Sequence, residues 1–146
     1  MGRVLGLDVG QRRIGVAVSD PEGRLAVPLR ILERQKEPVD IAALAEVARA
    51  EGVDALVVGH PLSLDGSAGP EARRVEAFAR RLGRACGLPV TLRDERLTSV
   101  QAERTPVFAG RRVRRARAPV DDLAATIILQ TYLDGRRSET PPPVDE

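Results

Sequence analysis

The segment LGLDVGQRRIGVAVSD, residues 5–20, constrains the fold of this chain more than any other part of the sequence. It predicts two apolar strands, Val4 to Val9 and Arg13 to Ser19, joined by a tight turn at Gly10-Gln11-Arg12. One carboxylate, that of Asp8, stands inside the first strand. Burying an ionised carboxylate without a partner is costly, so Asp8 is expected either to hold a cation or to keep a proton.

The pattern that follows extends this hairpin into an α/β sheet. Leu25 to Leu32 predicts a third strand, in which Pro28 indicates an edge position or a bulge. Short apolar runs at Ala55 to Val58 and Pro89 to Leu92 predict two further strands, each after a helical segment. We therefore expect a five-stranded mixed sheet, three antiparallel strands plus two parallel ones, with helices on both faces.

Four helices are predicted between and after the strands. Apolar residues recur at helical spacing in each segment. The first helix follows Asp40, which is the expected N-cap, and the second runs from Glu71 to Arg84. The third runs from Ser99 to Phe108, with a break or kink at Pro106, and the fourth from Val120 to Leu133. The last segment is apolar on nearly every side, which is typical of a largely buried helix.

The composition indicates one globular domain. Its 146 residues, 42% hydrophobic and 30% charged, suit a domain at 1–135 followed by a disordered tail at 136–146. A single cysteine, Cys86, and a single histidine, His60, exclude an internal disulfide, a cysteine-based zinc site and a multi-histidine site within one chain. The sequence has neither an apolar run of membrane-spanning length nor a secretory signal, so we expect a cytoplasmic location and no membrane partner.

Acidic residues occur where strands end and where the last helix begins. Asp94 and Glu95 end the fifth strand, and Asp121 and Asp122 begin the final helix. If these carboxylates converge on Asp8, they would repel one another, and a hard divalent cation with oxygen ligands, Mg²⁺ or Mn²⁺, would relieve the repulsion. The simpler interpretation of each acid is structural, as a hydrogen-bonded strand residue or a first-turn acid favoured by the helix dipole.

Four blocks of the sequence together resemble the YqgF/RuvX family. The family comprises ribonuclease-H-like nucleases described both as Holliday junction resolvases and as processors of the small-subunit rRNA precursor. The blocks are LGLDVGQRRIGVAVSD, VVGHPLSLDGS, DERLTSVQAE and VDDLAATIILQTYLD, in the family's order. The resemblance covers roughly Arg3 to Leu133 and implies a ribonuclease-H-like fold.

The resemblance also implies a site and an activity. Asp8, Glu95 and Asp121 are the implied catalytic residues and metal ligands, and Asp121 is preferred to Asp122 because the pattern V-D-x-x-A-A falls on it. The implied cofactor is a pair of Mg²⁺ or Mn²⁺ ions. The implied activity is endonucleolytic 5′-end processing of pre-16S rRNA. The alternative activity is resolution of four-way DNA junctions, which would involve a homodimer. Supporting roles fall to Asp94, Asp122, Arg96 and Thr98.

Arginines supply almost all the positive charge, since Lys36 is the only lysine among 23 basic residues. The loop before the final helix is rich in arginines, which are suited to bind phosphate groups. The alternative is that these arginines are simply exposed to solvent. The predicted nucleic-acid contacts are Arg12, Arg111, Arg112, Arg114, Arg115 and Arg117. His60 is expected to be structural or close to the substrate rather than a general base.

Two other classes of function compete with the nuclease. The opening hairpin also resembles the phosphate-binding strands of actin-like kinases and chaperones, but those proteins enclose a nucleotide between two such domains. A non-catalytic nucleic-acid binder with the same fold would not need acids at all three positions. Both classes are therefore weaker hypotheses than a metal-dependent nuclease.

Overall fold

The computed structural model describes residues 2–95 and 120–139, and within the second range the side chains of residues 123–136. The strands in these ranges are β1 (Arg3–Val9), β2 (Arg13–Ser19), β3 (Ala26–Glu33), β4 (Val53–His60) and β5 (Val90–Asp94). The helices are α1 (Glu37–Glu51), α2 (Pro70–Cys86) and α3 (Val120–Glu139).

The five strands form one sheet in the order β3-β2-β1-β4-β5. The β1–β2 and β2–β3 pairs are antiparallel, whereas β1–β4 and β4–β5 are parallel. This is the predicted mixed sheet. Pro28 lies on the edge strand β3, opposite Ala17 at a register irregularity, so the sheet does not need the N–H group that proline lacks.

The two faces of the sheet carry separate apolar cores, because successive strand residues point to opposite sides. On one face, Leu5 and Leu7 of β1 pack with Leu56 and Val58 of β4 against the apolar stripes of α1 and α2. On the other face, a second cluster lies under α3: Val4, Ala17, Ala26, Val57, Ala125, Ile128, Leu129 and Leu133. The predicted placement of helices on both faces is therefore confirmed.

Helix α3 lies very close to the sheet at Gly6 of β1. A Cβ atom at Gly6 would fall 2.6 Å from Leu129 Cβ and 3.3 Å from the Ala125 carbonyl oxygen. Ile128 approaches Gly59 near the carboxyl end of β4, whereas Arg136 approaches Gly23, which neighbours Gly2 at the start of the chain. The amino terminus of α3 therefore points towards the carboxyl ends of the parallel strands.

A buried glutamine fastens α3 to the segment that leads into β3. Gln130 Oε1 accepts a hydrogen bond from the Ala26 N–H at 2.9 Å, and Gln130 Nε2 donates to the Arg24 carbonyl oxygen at 2.9 Å. Gln130 is only 8% exposed. Because unpaired buried amides are costly, these bonds fix how far α3 is rotated and shifted on the sheet.

The structure corrects the predicted start of the first helix. Helix α1 begins at Glu37, with Pro38 in its first turn, and Asp40 is not the N-cap. The Asp40 carboxylate instead accepts hydrogen bonds from the Gln35 N–H at 3.0 Å and Arg34 Nε at 2.9 Å. Asp40 lies in the first turn of α1 and is buried. Through these two hydrogen bonds it organises the turn between β3 and α1.

The chain after β5 is described only in part. The predicted helix Ser99 to Phe108 lies outside the described residues. Helix α3 continues to Glu139, so the predicted domain end at 135 falls inside the helix. The rest of the predicted tail, 140–146, lies outside the described residues. In the two described ranges, no helix has the length and apolar character to span a membrane.

Candidate active site at the carboxyl ends of the parallel strands

Two of the three predicted catalytic acids meet at the carboxyl ends of the parallel strands. Asp8 lies one residue before the end of β1, and Glu95 directly follows β5. The two carboxyl groups are joined by a hydrogen bond, although β4 separates their strands. Both side chains are half-buried.

Gly59 of β4 allows this contact across the intervening strand. Leu7 pairs with Val58, so Asp8 is level with Gly59. A Cβ atom at Gly59 would lie 2.6 Å from Glu95 Oε2 and 2.6 Å from Ile128 Cδ1. The glycine of the VVGHP block therefore leaves the space in which the Glu95 carboxyl crosses β4 towards Asp8.

The Glu95 carboxyl group is electrostatically unfavourable when it is ionised. Its burial, followed by the negative charge of Asp8 and the hydrogen bond to it, raises the pKa of Glu95 from 4.5 to about 7. The charges of Glu71 and Asp94 add to this rise. Carboxylates gathered in this way are stabilised by a proton or by a cation, as the sequence predicted for Asp8.

Glu71 is an acidic neighbour that the sequence reasoning missed. It lies in the first turn of α2, where an acid next to a proline has the ordinary explanation of favouring the helix dipole. Glu71 and Glu95 both line a depression of about 580 Å³ that is bounded by the loop after β4. Only the topology, which puts the start of α2 beside the end of β5, reveals this proximity.

His60 ends β4 and is paired in register with Asp94. Its Nε2 atom lies 2.7 Å from Glu76 Oε2 of α2, and the two side chains are 16% and 29% exposed. His60 is thus engaged with an acid of the helix that covers this edge, and its structural or substrate-proximal role stays a prediction.

Several predicted site residues cannot be placed relative to these acids. Asp121 and Asp122 are in the first turn of α3, but their side chains lie outside the described part of the structure. The predicted residues outside the described ranges altogether are Arg96, Thr98, Arg111, Arg112, Arg114, Arg115 and Arg117. Arg12 is described, and it is exposed in the turn between β1 and β2.

The donor set that is described fits a hard divalent cation. Asp8 and Glu95 provide oxygen ligands only, and their mutual repulsion is the conflict that such a cation relieves. No group of three acids, histidines or cysteines suited to a metal occurs among the described side chains. The first turn of α3 lies towards the same edge.

Comparison with known proteins identifies the family. The RuvX family model, described as Holliday junction resolvase, matches residues 2–135. The chain belongs to the RuvX family. RuvX relatives include a protein of Moorella thermoacetica, 51% identical over 132 residues, which are 90% of this chain and 94% of the relative. A relative from Chloroflexus aurantiacus is 45% identical over 135 residues, 92% and 88% of the two chains. Both are named "Putative pre-16S rRNA nuclease".

Solved structures support the ribonuclease-H-like fold. RuvC of T. thermophilus, in a complex with a Holliday junction substrate, matches with a TM-score of 0.67 at 17% identity over 98% of this chain and 100% of RuvC. The fowlpox virus Holliday junction resolvase matches with a TM-score of 0.55 at 11% identity, over 91% and 99%. At these identities the likeness establishes the architecture of this RuvX chain and leaves its substrate open.

Proposed function

We propose that this RuvX chain is a divalent-metal-dependent endonuclease that acts in 5′-end processing of pre-16S rRNA in the cytoplasm. The observation that carries the proposal is the hydrogen-bonded pair of half-buried carboxyl groups, Asp8 and Glu95, at the carboxyl ends of parallel strands. Ligand sites of open α/β sheets concentrate at this edge. The names of the relatives supply the reaction class and the RNA substrate.

Asp8 and Glu95 would hold the metal, and Asp121 of α3 is the proposed third ligand. Mg²⁺ or Mn²⁺, when bound, supplies a Lewis acid for the phosphate and lowers the pKa of a bound water, and two ions are the proposed number. The protein's own contribution is to hold the two carboxyl groups together. Gly59 leaves the space between them, and Glu71 and Asp94 keep the surroundings negative.

The proposed roles of the remaining residues follow from their positions. Asp94 and Asp122 support the acids beside them in sequence, and Arg96 and Thr98 follow Glu95 closely enough to contact a phosphate. Arg12 is exposed in the turn that follows β1, on the same edge as Asp8. The arginines of the loop before α3 are proposed phosphate contacts, and this proposal rests on sequence alone.

Resolution of four-way DNA junctions is the second candidate function. The description of the family model and the RuvC-like fold favour it. A resolvase must make two symmetric cuts, so this function would require a homodimer.

A cleavage comparison tests both candidates. Labelled pre-16S rRNA 5′ fragment, a four-way DNA junction and linear single strands are incubated with the protein in Mg²⁺ or Mn²⁺ at fixed salt. We expect metal-dependent cleavage of the rRNA fragment, its loss in Asp8→Asn, and retained binding by that variant. Asp54→Asn is the matched control, because Asp54 is exposed at the opposite end of the parallel strands. Cleavage by Asp8→Asn at the rate of the unmodified protein would refute the site, and cleavage of the junction alone would favour the resolvase.

A further inference from the structure

A second depression, about 270 Å³ in volume, adjoins the acidic site on the side of α2. Val9 and Gly10, the two residues after Asp8, form one wall, and α2 forms the other. Glu71 borders both this depression and the one that contains Glu95. The two depressions therefore lie side by side at the carboxyl edge of the sheet, with Glu71 between them.

Two of the three arginines that line this second depression are held by acids. Arg34 donates hydrogen bonds to Asp40 at 2.9 Å and to the Gly10 carbonyl oxygen at 2.8 Å, and its guanidinium lies 5.3 Å from the ring centroid of Phe78. Arg81 pairs with both carboxylate oxygens of Glu37. These pairs stiffen the walls and leave little of the two positive charges for a ligand.

Arg74 is the third arginine, and it differs from the other two. It is exposed, and among the residues that the structure describes it makes no side-chain hydrogen bond or ion pair. Glu71 lies one turn earlier on α2 but does not pair with it, and a guanidinium group that no acid holds is suited to bidentate binding of a phosphate. Beside it, the partly exposed side chain of Val9 offers apolar surface that suits the carbon face of a sugar, whereas Val75 and Phe78 form the buried floor of the depression.

We propose that this groove binds the sugar–phosphate backbone of the substrate strand next to the cleaved bond, with Arg74 as its phosphate contact. The volume is at the small end for ligand sites, which commonly enclose about 300–1,000 Å³, so it suits one backbone unit rather than a separate large ligand. The groove reads no base, and it serves structured RNA and branched DNA alike. This inference rests on the proposed nuclease function, because Asp8 and Glu95 define where the cleaved bond would lie.

The test compares Arg74→Gln with Arg73→Gln in the full-length protein. Arg73 is the adjacent exposed arginine of α2, and it lines neither depression, so both variants lose one charge from the same helix. Binding to the labelled rRNA fragment and to the four-way junction is measured in EDTA between 50 and 200 mM salt. Arg74→Gln should weaken binding about tenfold and lower the slope of log K against log [salt] by about 0.7 to 0.9. Arg73→Gln should change binding less than about twofold, because it contacts no phosphate.

Two further measurements keep the outcomes distinct. Arg74→Lys should recover most of the salt slope, because lysine also pairs with phosphate. All three variants should unfold at the same urea concentration as the unmodified protein, since neither arginine has a side-chain partner among residues 2–95 and 123–136. Equal effects of Arg74→Gln and Arg73→Gln on nucleic-acid binding would refute the proposal that the groove binds the backbone. If the unmodified protein binds these nucleic acids but cleaves none of them, the nuclease proposal fails while a selective Arg74 effect still supports the groove.

Discussion

Replacing Glu95 with glutamine should stabilise the metal-free protein at pH 8 more than at pH 5. The pKa of Glu95 is raised from 4.5 to about 7 in the folded protein, first by burial and then by Asp8. The folded state therefore favours the protonated carboxyl, which glutamine resembles in shape and charge. The stability contributed by protonated Glu95 is fully present below about pH 4.5 and is lost as the pH rises through about 7.

The size of the effect follows from proton linkage. With a pKa of 4.5 in the unfolded chain and about 7 in the folded one, unscreened linkage corresponds to a fall of about 2.5 kcal/mol in the free energy of unfolding between pH 5 and pH 8. Glu95 is only half-buried, so solvent screens part of its interaction with Asp8. We therefore expect a fall of about 1 kcal/mol from Glu95 in the unmodified protein, which Glu95→Gln should remove.

Urea unfolding in EDTA at pH 5 and pH 8 measures this difference for the unmodified protein and for Glu95→Gln. Glu22→Gln is the control, since Glu22 is an exposed acid in the turn before β3 and should leave the pH dependence unchanged. The slope of the unfolding free energy against urea should be the same for all three proteins. An identical pH dependence for Glu95→Gln and the unmodified protein would show that the Asp8–Glu95 pair is not under electrostatic strain.

Two further predictions concern the docking of α3. Gly6→Ala should destabilise the protein by about 1–3 kcal/mol, because its Cβ would fall 2.6 Å from Leu129 Cβ; urea unfolding that matches the unmodified protein would contradict this tight contact. Gln130→Leu should cost about 1–3 kcal/mol, because the Ala26 N–H and the Arg24 carbonyl oxygen lose their partner. Thermal unfolding measures that loss, and Gln35→Leu, at an exposed glutamine between β3 and α1, shows the effect of the substitution itself.

The strands could be predicted because their signals are local. The two apolar segments of β1 and β2 and the glycine turn between them specify a hairpin, and the short apolar runs of β4 and β5 indicate buried parallel strands. Asp8 was identifiable because an acid inside an apolar strand is conspicuous. Glu95 gained significance from its position at a strand end and from the resemblance of its block to the family.

The sequence-based predictions were wrong or incomplete where a residue's role depends on tertiary contacts. Asp40 looked like an N-cap, but Pro38 already fits the first turn, and the buried Asp40 serves Arg34 instead. Glu71 looked like an ordinary first-turn acid, and nothing near it in sequence indicates Glu95. Arg74 is one of many arginines in the sequence, and only the positions of the acid partners of Arg34 and Arg81 distinguish it.

The covering of one sheet face by α3 has a consequence for synthesis on the ribosome. A nascent chain that has emerged only as far as β5 has its hairpin, β4 and the covering helices α1 and α2, but the face with Val4, Ala17 and Val57 is bare. That nascent chain exposes an apolar surface until α3 arrives. It also lacks the proposed ligand Asp121, so the nuclease proposed here cannot cut rRNA until the helix is released from the exit tunnel and docks.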